Sequence, residues 1–123
     1  MRRAVAALTL VLCAGALASC GGSESDGGLA PDPGAEPKVI EVTITSDSVT
    51  PNGERVEVDL GQEVELQVTA DEAGEIHVHS DPEQELEYDA GESTLTITGI
   101  DTPGTVDVES HSLEKIIVQL EVS

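Results

Sequence analysis

Val56-Glu57-Val58-Asp59-Leu60-Gly61-Gln62-Glu63-Val64-Glu65-Leu66-Gln67-Val68-Thr69-Ala70 decides the fold. Val56, Val58 and Leu60 alternate with Glu57 and Asp59, and after Gly61 the residues Val64, Leu66, Val68 and Ala70 alternate with Glu65, Gln67 and Thr69. A period of two sends one class of side chain to each face of an extended strand. Gly61-Gln62 interrupts the alternation with turn chemistry. The segment therefore reads as two half-buried strands joined by a turn.

The same texture spreads outward in both directions. Ile40, Val42 and Ile44 alternate with Glu41, Thr43 and Thr45 upstream. Downstream come Glu75-Ile76-His77-Val78-His79, then Leu95 and Ile97 among threonines, then Val106 and Val108 between Asp107 and Glu109. Ile116, Val118, Leu120 and Val122 close the chain, with Ile117, Gln119 and Glu121 expected on the other face. Pro51-Asn52-Gly53, Ala73-Gly74, Asp81-Pro82, Ala90-Gly91 and Pro103-Gly104 punctuate the runs. No stretch has helical period, apart from a single helical turn suggested near Ser112–Lys115. Seven to eight short strands with one apolar face each predict an all-β, antiparallel Greek-key β-sandwich over residues 38–123. Asp81-Pro82-Glu83-Gln84-Glu85 with Glu87 is the densest acidic stretch and reads as a solvated loop.

Ahead of this domain, residues 20–37 are rich in Gly, Ser, Pro and acid and read as a flexible tether. Residues 1–19 begin with Arg2 and Arg3 and continue through an uncharged apolar run from Ala4 to Ala18. A basic start and a short apolar middle make a secretory signal. The run falls short of the about 20 residues that a membrane span needs. Leu17-Ala18-Ser19-Cys20, followed by Gly21-Gly22, resembles a bacterial lipobox. That resemblance implies cleavage before Cys20 and lipid attachment to its thiol. The protein would then sit on the cell membrane, lipid-anchored on the extracytoplasmic side. The plainer alternatives are cleavage after Ala18 or a retained anchor.

Composition excludes several functions. Cys13 leaves with the signal and Cys20 is the lipid site, so thiol catalysis, dithiol redox chemistry and thiolate metal sites are not expected. After Cys20 the chain carries 25 acidic residues against three basic ones, Lys38, Arg55 and Lys115, a formal charge of −22. Such a surface repels phosphate backbones, so nucleic acid is not an expected partner. It attracts cations instead, as metal ions or basic partners. The chain has no Phe, no Trp and one Tyr, Tyr88, and so lacks an aromatic platform for sugars or bases. None of the sequence signatures of nucleotide-binding, hydrolytic or EF-hand sites is present, and the expectation is a non-enzymatic protein.

Three features together resemble the cupredoxin-like family over residues 38–123. They are the opening strands Val42-Thr43-Ile44, Val56–Gln62 and Val64–Val68, the mid-chain strand with histidines, and the late hairpin Pro103–His111 running into Ile116–Val122. The resemblance implies a blue-copper site built from a mid-chain His, then Cys, His and usually Met around the last hairpin. His77 or His79 would stand for the first His and His111 for the second. The Cys position falls near Glu109 or Ser110 and the Met position near Leu113 to Ile116, and neither carries sulfur. Without a thiolate there is no blue-copper centre.

The histidines keep a separate interest. His77 and His79 share one face of a strand, about 6.5–7 Å apart. With His111, and a carboxylate such as Asp81 or Glu109, they would suit Cu(II) or Zn(II). Plain surface or hydrogen-bonding roles are the competing reading. Two classes of function stay open. One is a binding or accessory domain for a protein or envelope component. The other is a copper- or zinc-binding protein using His77, His79 and His111. The first predicts a face of exposed aliphatic side chains; failing that, its partner would have to be cationic.

Overall fold

The computed structural model describes residues 35–123. The signal segment, Cys20 and most of the tether lie outside the described residues. Nine strands follow one another: β1 (Lys38–Ile44), β2 (Val49–Thr50), β3 (Glu54–Val58), β4 (Val64–Ala70), β5 (Gly74–Val78), β6 (Gln84–Tyr88), β7 (Gly91–Ile97), β8 (Gly104–Ser110) and β9 (Lys115–Val122). They form a four-stranded sheet in the order β2-β1-β4-β7 and a five-stranded sheet in the order β3-β9-β8-β5-β6. The described residues contain no helix. The turn at residues 111–114 is a tight turn with Glu114 at φ 51°, in place of the helical turn expected there.

Period two drives this arrangement. β4 buries Val64, Leu66, Val68 and Ala70 and turns Gln67 and Thr69 outward. β5 buries Ile76 and Val78, and β8 buries Val106 and Val108. The inner faces meet in one core in which Leu66, Ile76, Ile97, Val108, Ile117 and Leu120 are all 0% exposed. Each such side chain contributes about 1.5–3 kcal/mol of transfer free energy on burial. Aliphatic side chains thus carry the core, with Tyr88 the one aromatic in it.

The sandwich differs from the sequence expectation in four respects. The sheets are mixed: β1 pairs parallel with β4, and β3 pairs parallel with β9. Alternation reports which side chains face inward and is blind to the direction of the neighbouring strand. The acidic stretch expected as a loop contains β6, with Gln84, Leu86 and Tyr88 turned inward and Glu85 and Glu87 outward. β2 is only two residues long, too short to leave a period. Finally, Ile117 joins the core beside Val118. A bulge lies between Val108 and Glu109, whose partners are Val118 and Ile116, so Ile117 is the extra residue in β9.

One side of the sandwich is closed by a side chain acting as backbone. Gln84 Oε1 accepts the Thr98 N–H at 2.8 Å, and Gln84 Nε2 donates to the Thr98 carbonyl at 3.2 Å. This stitches β6 to the end of β7, across the two sheets. The opposite side is bridged at one end, where the Gly53 N–H donates to the Ile116 and Ile117 carbonyls, and holds a cleft between β1 and β3.

Candidate metal centre on the outer face of the five-stranded sheet

Glu75 and His77 share the outward face of β5 with His79 just past its end, because Ile76 and Val78 fill the core between them. Antiparallel pairing gives each a lateral neighbour on both sides. His77 lies opposite Glu85 of β6 and Glu109 of β8. Glu75 lies opposite Glu87, while the His111 N–H donates to the Glu75 carbonyl at 3.0 Å and continues the β5–β8 ladder by one residue. That bond brings His111 beside Glu75 and diagonal to His77, within reach of long side chains. Histidines and carboxylates therefore form a mixed array on one sheet face.

Within it, ligand atoms of Glu75, His77 and His111 all lie within 4.8 Å of one another. His77 Nε2 donates to Glu75 Oε1 at 2.5 Å and sits 3.6 Å from Glu85 Oε1. The His77 and His111 rings lie 4.6 Å apart between centroids, at 33°. Glu75 and His77 are about 30% and 28% exposed at the side chain, so water reaches them without flooding them. Around a tetrahedral ion bound at about 2.0–2.1 Å, donor atoms sit roughly 3.3 Å apart. His77 Nε2 and Glu75 Oε1 are closer than that, and all three donors fall within 4.8 Å, so the group is of the size that one ion spans.

The structure thus brings together two of the three histidines expected to act jointly. His79 stands aside: its ring lies 6.4 Å from that of His77. Its Nε2 donates to Glu109 Oε2 at 3.0 Å, and its Nδ1 lies 3.6 Å from Glu83 Oε1. The carboxylate of the group is Glu75, where Asp81 or Glu109 was expected. Asp81 lies in the turn ahead of β6, and Glu109 is occupied by His79. Glu75 could have been found from sequence by the rule that paired His77 with His79, since it too stands two residues away.

The sulfur-free hairpin is equally informative. Ser110 is 0% exposed and opposite Ile76, on the core side of β8. Its Oγ lies 3.4 Å from Ser112 Oγ. The histidines occupy the other face of the sheet. Ser110 and these histidines therefore do not converge, and the residues present do not fit a blue-copper centre.

Elsewhere, a cleft of about 930 Å³ adjoins the group, sharing Glu75 and His111 with it and lined also by Tyr88 and Leu95. Val39, 51% exposed, is the one large hydrophobic residue exposed among the described residues. The aliphatic face that an apolar docking role predicts is therefore not found among them.

No protein-family model matches the sequence, and no curated protein does. Among solved structures, a multi-copper oxidase from Pediococcus acidilactici is similar, with a TM-score of 0.52 and 13% sequence identity. The match covers 78% of this chain and 28% of the oxidase, so the chain spans little more than a quarter of that protein. A reduced amicyanin variant matches with a TM-score of 0.48 and 13% identity, over 73% of this chain and 87% of that one. At these identities the likeness is one of fold: the chain folds as a cupredoxin-like β-sandwich.

Proposed function

We propose that this protein is a non-enzymatic, lipid-anchored cell-surface domain that holds a divalent transition-metal ion through Glu75, His77 and His111. The observation that carries the reading is the approach of these three ligand atoms to within 4.8 Å. Two imidazoles and a carboxylate suit Zn(II) or Cu(II), borderline ions that accept nitrogen and oxygen donors. Glu85, beside His77, supplies a further carboxylate, and the net charge of the surface concentrates cations near it. An ion there would also relieve the repulsion between Glu75 and Glu87, like charges directly opposite in the ladder.

Each residue has a distinct part. His77 contributes Nε2 from the middle of β5, held by the ladder on both sides. Glu75 exchanges its hydrogen bond to His77 for a bond to the ion. His111 closes the set from the β8–β9 turn. The address comes from the N-terminal segment, with Cys20 as lipid attachment point outside the cytoplasmic membrane. Binding and release of the ion, with no covalent step, is the activity that this donor set supports.

A calorimetric titration of the purified full chain with Cu(II) and Zn(II) tests the reading. One-to-one binding that disappears in the His77→Ala/His111→Ala variant is expected. Weak binding of many ions, unchanged in the variant, would mean that only the acidic surface is being titrated.

A further inference from the structure

β1 has an open edge. It pairs with β4 along its whole length, but β2 covers its other edge only at Thr43 and Ile44. The direction of the backbone groups follows from the ladder. Lys38 N–H donates to the Glu63 carbonyl, and the Ile44 carbonyl accepts from Asp71, both on the β4 side. Backbone groups alternate sides along a strand, so those of Val39 and Glu41 point to the open edge. Among the described residues they have no ladder partner.

β3 faces it across a cleft. Its Val58 carbonyl accepts from Ser123 on the β9 side, which leaves the groups of Arg55 and Glu57 pointing away from β9. The cleft between the two edges has a volume of about 740 Å³ and is lined by Val39, Glu41, Arg55 and Glu57 among others. Thr50 and Pro51 also line it. From Lys38 to Val42 the open edge runs about 17 Å at roughly 3.3 Å per residue, the length of a five-residue strand.

The occupant is set by charge. Glu41, Glu54, Glu57 and Glu121 line the cleft against Lys38 and Arg55, and Arg55 is already paired with Glu121 at 3.1 Å. A second copy would bring another −22 charges to the same edge, which argues against self-association. With Val39 the one large exposed hydrophobic among the described residues, apolar area does not drive docking here. We propose that the β1 edge binds an extended, lysine- or arginine-rich segment of a partner protein by strand addition. Its backbone would pair with Val39 and Glu41, and its alternate side chains would meet Glu41 and Glu57. The surface is separate from the metal group and does not depend on it.

A labelled seven-residue peptide of alternating lysine and valine is the probe, read by fluorescence anisotropy against the full chain. Val39→Pro removes one edge donor that β4 does not use. It is expected to weaken binding at least tenfold while leaving the far-ultraviolet circular dichroism unchanged. A peptide of equal charge with its lysines in one block should bind at least fivefold more weakly, since it cannot present alternating faces. Should the Val39→Pro chain not fold, amide exchange of the unaltered chain serves instead: the Val39 and Glu41 amides must slow at least tenfold when the peptide is added. Equal binding of the two peptides, full binding by a folded Val39→Pro chain, or unchanged exchange at both amides would each overturn the proposal.

Discussion

His111 lies one residue beyond the last registered pair of β5 and β8, yet its N–H still reaches the Glu75 carbonyl at 3.0 Å. This bond anchors the first residue of the β8–β9 turn to the backbone of β5 at Glu75. It makes neighbours of two residues 36 positions apart in the chain. The same bond leaves His79 at the other end of the array, paired with Glu109.

Ligand identity follows from that asymmetry. Glu75→Gln and His111→Ala should each weaken Zn(II) binding by about ten- to a hundredfold, as loss of one donor removes a few kcal/mol of coordination. His79→Ala should change it less than threefold. Competition against a chromophoric chelator measures all three. Equal losses for His79 and His111 would restore the three-histidine set, and unchanged binding by Glu75→Gln would remove Glu75 from it.

Metal should also stabilise the fold. An ion bound only by the native state at a hundred times its Kd adds about 2.7 kcal/mol. In a domain of this size that raises Tm by roughly 10–20 °C. Protons compete for the imidazole lone pairs, so the gain should shrink as the pH is lowered and vanish on chelation. Thermal melts with and without Zn(II), repeated across the acid range, check both the size and the sign.

Much of this was legible in the alternation. β6 aside, the strands longer than two residues show an apolar period of two, broken in β9 at Ile117, and the buried set from Ile40 to Val122 follows it closely. β6 is hidden because Glu85 and Glu87, with Glu83 just ahead of it, dominate the stretch while Leu86 and Tyr88 alone are its apolar residues. Ile117 was misplaced because a bulge shifts the period by one, and only the register of the partner strand reveals a bulge. The metal group was half legible for a related reason. Residues of one strand can be assigned to one face from sequence, but the pairing of Glu75 with His111 depends on strand order and register.

The face assignment makes a prediction about sulfur. A Ser110→Cys chain would carry a thiol at one of the two positions, Glu109 and Ser110, near which the family resemblance puts the copper-binding Cys. Ser110 points into the core at 0% exposure, while His77 and His111 project from the opposite face. The thiol and the imidazoles cannot meet on one ion without disrupting β8. Cu(II) added to this variant should therefore give no intense blue absorption of the kind a Cys–His copper site produces. A strong visible band on titration would show that β8 can rotate its inner face outward, against the burial pattern.

Two glycines should differ in what they tolerate. A Cβ at Gly74 would collide with the ring and hydroxyl of Tyr88, a side chain at 5% exposure. A Cβ at Gly99 would collide with the backbone of Gly61, whose N–H donates to the Ile100 carbonyl at 2.9 Å and whose φ of 74° favours glycine. A ring can swing toward the adjacent cleft, whereas Gly61 is fixed by its turn and that bond. Gly74→Ala should cost about 1–2 kcal/mol, and truncating Tyr88 to Leu in the same chain should recover part of it. Gly99→Ala should cost more, about 3 kcal/mol, with no single side-chain change able to relieve it. Urea unfolding with a common m-value measures both, and a Gly99→Ala chain as stable as the unaltered protein would mean that the β3–β4 turn yields more readily than its hydrogen bonds indicate.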